Sequence, residues 1–188
     1  MSAPKILVLV TDGTEDMEAV TIVDVLRRAK TSVLVCSLEK QQMVECSNGI
    51  CLVPDTCLSA IKPTDMADMA AIILPGGLRG AKAFAESKAI HDALTLAYTS
   101  GKLVAAICAA PIALVAAGIG RGKQLTSHPS IRDQLATTYK YSEDRVVVDG
   151  NLITSRGPGT ALEFSLSIVE YLLGRETRNA VAAPMCIH

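Results

Sequence analysis

The chain has 188 residues, a net charge of −1 and a hydrophobic content of 49%. That length suits one full-sized domain over 1–188, with a core large enough to need no metal or disulfide staple. Near-neutral charge without a Lys/Arg cluster gives no case for nucleic acid or an anionic membrane surface. Aromatics are 3% and tryptophan is absent, so Ala, Val, Ile and Leu must build the core.

The N-terminal residues 1–5 are short and polar, and the apolar run that follows is only strand length. Neither a signal-peptide core nor a spanning helix fits there. The expectation is a cytoplasmic protein with no membrane contact, whose cysteines stay mostly reduced. Those cysteines are Cys36, Cys46, Cys51, Cys57, Cys108 and Cys186. No C-x-x-C pair occurs and the histidines are scattered, so neither a metal nor a cofactor is expected. Most of the thiols read as small buried hydrophobes.

Short apolar runs alternate with helical stretches. A buried strand is predicted over 6–10. A helix follows over 15–30, with Thr14 as N-cap and Glu15 and Asp16 in its first turn. Next come a strand over 31–38 and a hairpin over 42–54 around Ser47-Asn48-Gly49. A buried strand over 70–74 ends at Pro75-Gly76-Gly77. Helices are predicted over 80–85 and 87–99, and Gly101 breaks the pattern before a strand over 103–107. A helix over 111–117, strands over 125–127, 146–148 and 152–154, and a helix over 160–173 stopped by Gly174 complete the series. Asp149-Gly150 marks a hairpin. Residues 175–188 fit either a helix covering the pocket or a dimer contact. The alternation predicts an α/β fold with a parallel sheet between helices, and such sheets bind ligands at the strand C-termini.

Four strand ends carry suggestive residues. The strand over 103–107 runs into Cys108-Ala109-Ala110-Pro111, a strand–nucleophile–helix arrangement with small neighbours. A thiol at a helix N-terminus is expected to have a lowered pKa. Pattern alone equally allows a buried cysteine that closes a strand. Glu18 shares a helical stripe with Ile22, Val25 and Ala29. A carboxyl on that apolar stripe would have a raised pKa and could move protons. A glutamate that snorkels to solvent fits the same spacing. Gly76 and Gly77 could bring backbone N–H groups to an oxyanion, or simply make a turn. His128, in Ser127-His128-Pro129, could serve as a base or polar anchor, or be a surface residue.

Taken together, Glu15-Asp16-Met17-Glu18, Leu74-Pro75-Gly76-Gly77, Ala105-Ala106-Ile107-Cys108-Ala109-Ala110-Pro111, Ser127-His128-Pro129 and Thr154-Ser155-Arg156-Gly157-Pro158-Gly159-Thr160 resemble the ThiJ/PfpI superfamily. Within it, the chain is most similar to the Parkinsonism-associated deglycase branch, over almost its whole length. The resemblance implies a flavodoxin-like three-layer sandwich with a mostly parallel sheet, and a homodimer. It places Cys108 as an oxidation-prone nucleophile and Glu18 as the carboxyl hydrogen-bonded to its sulfur. It makes Gly76, Gly77 and Ala109 the oxyanion donors and His128 the pocket histidine.

The implied activities are glutathione-independent conversion of methylglyoxal and glyoxal to hydroxy acids and repair of glycated side chains. Redox sensing and chaperone-like activity are implied as alternatives. Peptidase branches carry a histidine directly after the nucleophile, and here that residue is Ala109. Leu78, Asn48 and Val53 depart from the nearest animal relatives, at positions bearing on pocket polarity, dimer contacts and secondary oxidation. Cys46 matches a peripheral family cysteine.

Overall fold

The computed structural model describes residues 3–187. The stretches 1–5 and 175–188 are therefore seen only from residue 3 and up to residue 187. A seven-stranded sheet forms the centre, in the order β10-β11-β7-β6-β1-β2-β5. Its strands are β1 (Lys5–Val10), β2 (Ser32–Ser37), β5 (Thr56–Cys57), β6 (Ala71–Leu74), β7 (Leu103–Ile107), β10 (Val146–Asp149) and β11 (Leu152–Ser155). All neighbours run parallel except β10 against β11, whose hairpin turns at Asp149-Gly150. Two small pairs lie outside the sheet. They are β3 (Val44–Glu45) with β4 (Cys51–Leu52), antiparallel, and β8 (Gln124–Leu125) with β9 (Lys140–Tyr141), parallel.

The helices are α1 (Asp16–Arg28), α2 (Pro63–Ala67), α3 (Leu78–Glu86), α4 (Lys88–Thr99), α5 (Ile112–Ala117), α6 (Arg132–Leu135) and α7 (Ala161–Ala182). They form a layer on each side of the sheet. Strand periodicity sends alternate side chains to opposite faces, so a strand buried on both faces is apolar throughout. In β1, Leu7 and Leu9 join the layer of α3, α4 and α5, while Ile6 and Val8 join that of α1 and α7. The chain's two phenylalanines divide the same way. Phe84 fills one layer and Phe164 the other, both fully buried. Each contributes roughly 1.5–3 kcal/mol of burial free energy. This is the parallel sheet between helices that the alternation predicts, in the flavodoxin-like α/β form that the family resemblance implies.

Several boundaries differ from the sequence expectation. Thr14 is not the cap of α1, because its hydroxyl accepts the amide of Thr11 at 2.9 Å and closes the turn after β1. Glu15 takes the capping role instead, accepting the amide of Glu18 at 2.8 Å. The strand expected over 125–127 is only β8, because the Thr126 amide turns to the Thr154 hydroxyl, leaving the ladder. Pro111 caps α5 without entering it. Gly174 does stop the expected helix, with the non-helical φ 86° and ψ 165°, but the chain resumes helically beyond this kink as far as Ala182. Val181 and Ala182 are buried in the α1–α7 layer, with Met185 and Ile187 packed against it, so this end of the chain joins that side of the core.

Candidate active site

The C-terminal ends of β1, β6, β7 and β11 lie side by side, and the loops that leave them converge. The loop after β6 delivers Gly76. Its amide donates to Glu18 Oε2 at 2.7 Å, and its carbonyl accepts the amide of Glu15 at 2.9 Å. A Cβ at Gly76 would lie 2.5 Å from the Cys108 Cβ, 2.8 Å from Glu18 Oε2 and 2.9 Å from the Ile107 carbonyl. Only glycine lets these three elements meet. Gly77 has φ 88°, and a Cβ there would run into the Gly13 carbonyl and the Glu15 amide.

Glu18, Ile22, Val25 and Ala29 all point inward from α1, while Asp24 and Arg28 pair on its outer face at 2.8 Å. Glu18 is wholly buried. Burial pushes its carboxyl up from the ordinary 4.5 to about 7, against the pull of the Gly76 N–H. The nearby Glu15 carboxylate adds to the rise, and the Cys108 thiol pulls slightly downward. Glu18 Oε1 makes no hydrogen bond to any described residue. The two oxygens of this carboxylate are thus unequal: Oε2 is held by an amide and Oε1 is buried without a partner, while the carboxyl as a whole neighbours the Cys108 thiol.

Cys108 itself adopts φ 63°, which it shares with only two other non-glycine residues among those described. That conformation costs about 1–3 kcal/mol and persists only when neighbours enforce it. Here both adjoining peptide groups are held. The Cys108 amide donates to the Ser155 carbonyl at 3.0 Å, and the Cys108 carbonyl accepts the His128 amide at 2.9 Å. The side chain is thereby turned toward Glu18, with the backbone N–H groups of Gly77 and Ala109 directed at the sulfur.

The expected lowering of the thiol pKa is not what the geometry gives. Burial, then the Glu18 carboxylate, push Cys108 up to about 12, and the N–H groups of Gly77 and Ala109 oppose this without prevailing. Helix α5 begins only at Ile112, beyond the turn that carries Cys108, and is six residues long. The nearest charge is an anion. Sulfur and carboxyl therefore compete for a proton as a coupled pair.

The structure brings Cys108, Glu18, Gly76, Gly77 and Ala109 together. It alters one assignment: the Gly76 N–H, expected to face an oxyanion, is already committed to Glu18, leaving Gly77 and Ala109 as the donors at the sulfur. His128 joins the site through its backbone. Its exposed imidazole turns Nδ1 to the Ser130 hydroxyl at 2.8 Å, and no hydrogen bond links it to the sulfur. Sequence reasoning missed Ser155 and the capping role of Glu15. Glutamate is not a favoured N-cap residue, and a carbonyl acceptor leaves no trace in side-chain identity, so neither role carried a sequence signal. Among the described residues, no cluster of His, Cys, Asp or Glu side chains could hold a metal ion. No described helix is long and apolar enough to cross a membrane.

A family model described as DJ-1/PfpI matches residues 4–171. The Parkinson disease protein 7 homolog of Danio rerio is 43% identical over 189 residues, covering 100% of this chain and 99% of that protein. The glutathione-independent glyoxalase DJR-1.2 of Caenorhabditis elegans is 38% identical over 190 residues, with 100% and 99% coverage. The crystal structure of Drosophila melanogaster DJ-1beta superposes with a TM-score of 0.94 at 43% identity, and each chain is covered completely. With the fold, the strand-end cysteine and these full-length likenesses in agreement, the chain belongs to the DJ-1/PfpI family.

Proposed function

We propose that this protein is a cysteine-dependent, glutathione-independent glyoxalase that acts on methylglyoxal, glyoxal and their adducts on protein side chains. The observation that carries this reading is the unpartnered Oε1 of buried Glu18 beside Cys108. Moving the thiol proton to Oε1 gives a thiolate and a neutral acid. It removes a buried carboxylate and the charge that opposes sulfur ionisation. The amides of Gly77 and Ala109 then face the sulfur anion.

The thiolate attacks the aldehyde carbon of methylglyoxal. A C–S bond forms, and the aldehyde oxygen takes the proton from Glu18, giving a hemithioacetal. Glu18, now a carboxylate, removes the proton on that carbon, and the electron pair moves onto the neighbouring carbonyl to give an enediolate that keeps one hydroxyl proton. Glu18 returns its proton to the neighbouring carbon, the hydroxyl proton passes from the first oxygen to the second, and a thioester of lactate results. One carbon is oxidised and its neighbour reduced by the same two electrons, so no outside oxidant is required. Water cleaves the C–S bond, releasing lactate and restoring the thiol. His128, with Nδ1 engaged by Ser130, stands at the rim and assists through its other nitrogen. The expected homodimer belongs to the same reading, and exposed Met17, Ile50 and Val53 on α1 and the β3–β4 hairpin supply apolar surface for it.

Lactate formation from methylglyoxal, followed by proton NMR, tests the assignment. Cys108→Ser and Glu18→Gln should each lower turnover by roughly a hundredfold or more, the scale of a lost nucleophile or proton carrier. Lactate production at the wild-type rate by Cys108→Ser would end the reading.

The same orphan oxygen supports a second reading, in which the protein records oxidation. A protonated Oε1 can donate to a sulfinate oxygen and hold Cys108 at that rung. Mild peroxide should then add two oxygens to Cys108 ahead of the other five cysteines, read by peptide mass spectrometry. Oxidation spread evenly over the cysteines would count against it.

A further inference from the structure

The steps above give no role to the Glu15 carboxylate, yet it closes a ring of contacts around the Glu18 carboxyl. Glu15 Oε2 accepts the Glu18 amide at 2.8 Å. The Glu15 amide donates to the Gly76 carbonyl at 2.9 Å, and the Gly76 amide returns to Glu18 Oε2 at 2.7 Å. Glu15 at the cap of α1, Glu18 in its first turn and Gly76 in the turn after β6 thus fix one another through three hydrogen bonds. Two of these place the start of α1 relative to the strand-end turn that carries Gly76.

We propose that Glu15 is a positioning residue of the Cys108 centre: its carboxylate, locked at the cap of α1, keeps the Glu18 carboxyl seated on Gly76 and places a negative charge beside it. The assignment rests on the Cys108–Glu18 reading above. The charge balance around Glu18 singles Glu15 out. From the turn after β7, Glu18 faces Cys108. From the turn after β6 it faces the neutral amide of Gly76. On its own helix, Asp16 is turned away and bound by Ser47, Asn48 and Ile50. On α7, packed against α1, the first-turn Glu163 is paired with Arg145. In the turn after β1, Asp12 pairs with Arg79, and beyond β11 the Arg156 guanidinium reaches the Glu143 carbonyl. Glu15 is the neighbouring carboxylate that acts on Glu18 directly, in the direction that favours a bound proton.

A cap alone would need only an acceptor. Glu15→Gln keeps a side-chain oxygen for the Glu18 amide and removes the charge, so it separates positioning by hydrogen bond from tuning by charge. Two readouts apply. One is the protonated-carboxyl stretch of Glu18 against pH, from infrared difference spectra of wild type and Glu18→Gln. The other is the acid limb of kcat/KM for methylglyoxal.

In Glu15→Gln both midpoints should move to lower pH by about 0.5–1 unit, the size of one partly screened charge. Glu15→Asp, which retains the charge, should stay nearer the wild type. Glu15 is partly exposed, so raised salt should move the wild-type midpoint down toward the variant and leave Glu15→Gln almost unmoved. The wild-type salt titration decides the matter even if the variants fold poorly. Glu170→Gln, the same charge change on the exposed face of α7, should shift neither midpoint. An unchanged or higher infrared midpoint in Glu15→Gln, or a wild-type midpoint indifferent to salt, would overturn the proposal.

The infrared arm does not depend on aldehyde chemistry. A wild type that forms no lactate but shows the carboxyl shift would defeat the glyoxalase reading and leave the role of Glu15 standing.

Discussion

Gly76 and Glu18 are joined by a 2.7 Å hydrogen bond that passes through space no side chain at Gly76 could share. The same bond aims the carboxyl and commits the Gly76 amide, which is then closed to a substrate oxygen. Gly76→Ala would drive a methyl group against the Cys108 Cβ and Glu18 Oε2 together. The expected result is a loss of about 1–3 kcal/mol of stability, with the Glu18–Cys108 alignment lost as well. Chemical denaturation and the rate of Cys108 alkylation by iodoacetamide measure the two effects separately. A variant of wild-type stability and alkylation rate would show that the turn relaxes freely.

Glu18 makes stability depend on pH in an unusual direction. Its folded pKa of about 7 lies above the ordinary 4.5. Between those values the folded state holds more protons than the unfolded one, so stability falls as pH rises. The contribution is fully present below pH 4.5 and lost as pH passes through 7. A shift of that size corresponds to about 3 kcal/mol. Glu18→Gln should therefore gain on the wild type between pH 5 and pH 8, by up to that amount. Denaturant midpoints across this range check it. A constant difference would mean that Glu18 is not buried as described.

Removing the Glu18 charge should also change the thiol. The carboxylate is among the causes that hold Cys108 at about 12. In Glu18→Gln the alkylation profile of Cys108 should move to lower pH, although methylglyoxal turnover falls. Reactivity toward iodoacetamide and catalysis then part company, as expected if Glu18 acts as proton carrier. A profile that stays in place or moves up would remove the coupling.

Asp16 anchors the β3–β4 hairpin. It accepts from the Ser47 hydroxyl, the amides of Asn48 and Ile50 and the Asn48 side chain, which together hold its pKa below the ordinary value despite burial of the residue. Asp16→Ala should cost about 1–3 kcal/mol, since several donors lose one acceptor. The hairpin amides of Asn48 and Ile50 should exchange hydrogen faster while the core strands are unaffected. The contribution of Asp16 is present above its unfolded pKa and fades as pH falls through the lower folded value, the reverse of Glu18. Unaltered exchange at Asn48 and Ile50 would refute the anchor.

The periodicity of 18, 22, 25 and 29 put Glu18 on the apolar stripe without deciding between an inward carboxyl and one that snorkels to solvent, and the apolar run of 103–107 was enough to bury a strand and end it at Cys108. These are local signals, and they survived into the fold. What surrounds the sulfur was harder to read. Its pKa depends on burial and on a carboxylate ninety positions away in the chain, and an argument built on adjacent residues sees neither. The engagement of the Gly76 amide depends on the same distant partner. Thr14 suits an N-cap by composition and Glu15 does not, yet the turn at Thr11 takes the Thr14 hydroxyl and leaves the cap to Glu15. His128 was found from its position after a predicted strand, but its Ser130 contact is a matter of side-chain direction.

The most direct test of a covalent role for Cys108 is acid quenching of the methylglyoxal reaction, followed by peptide mass mapping. A three-carbon acyl group released by hydroxylamine should appear on Cys108 during turnover and decay as lactate accumulates. It should be absent from Cys36, Cys46, Cys51, Cys57 and Cys186. Lactate accumulating with no hydroxylamine-labile acyl group on Cys108 at any time point would contradict the account.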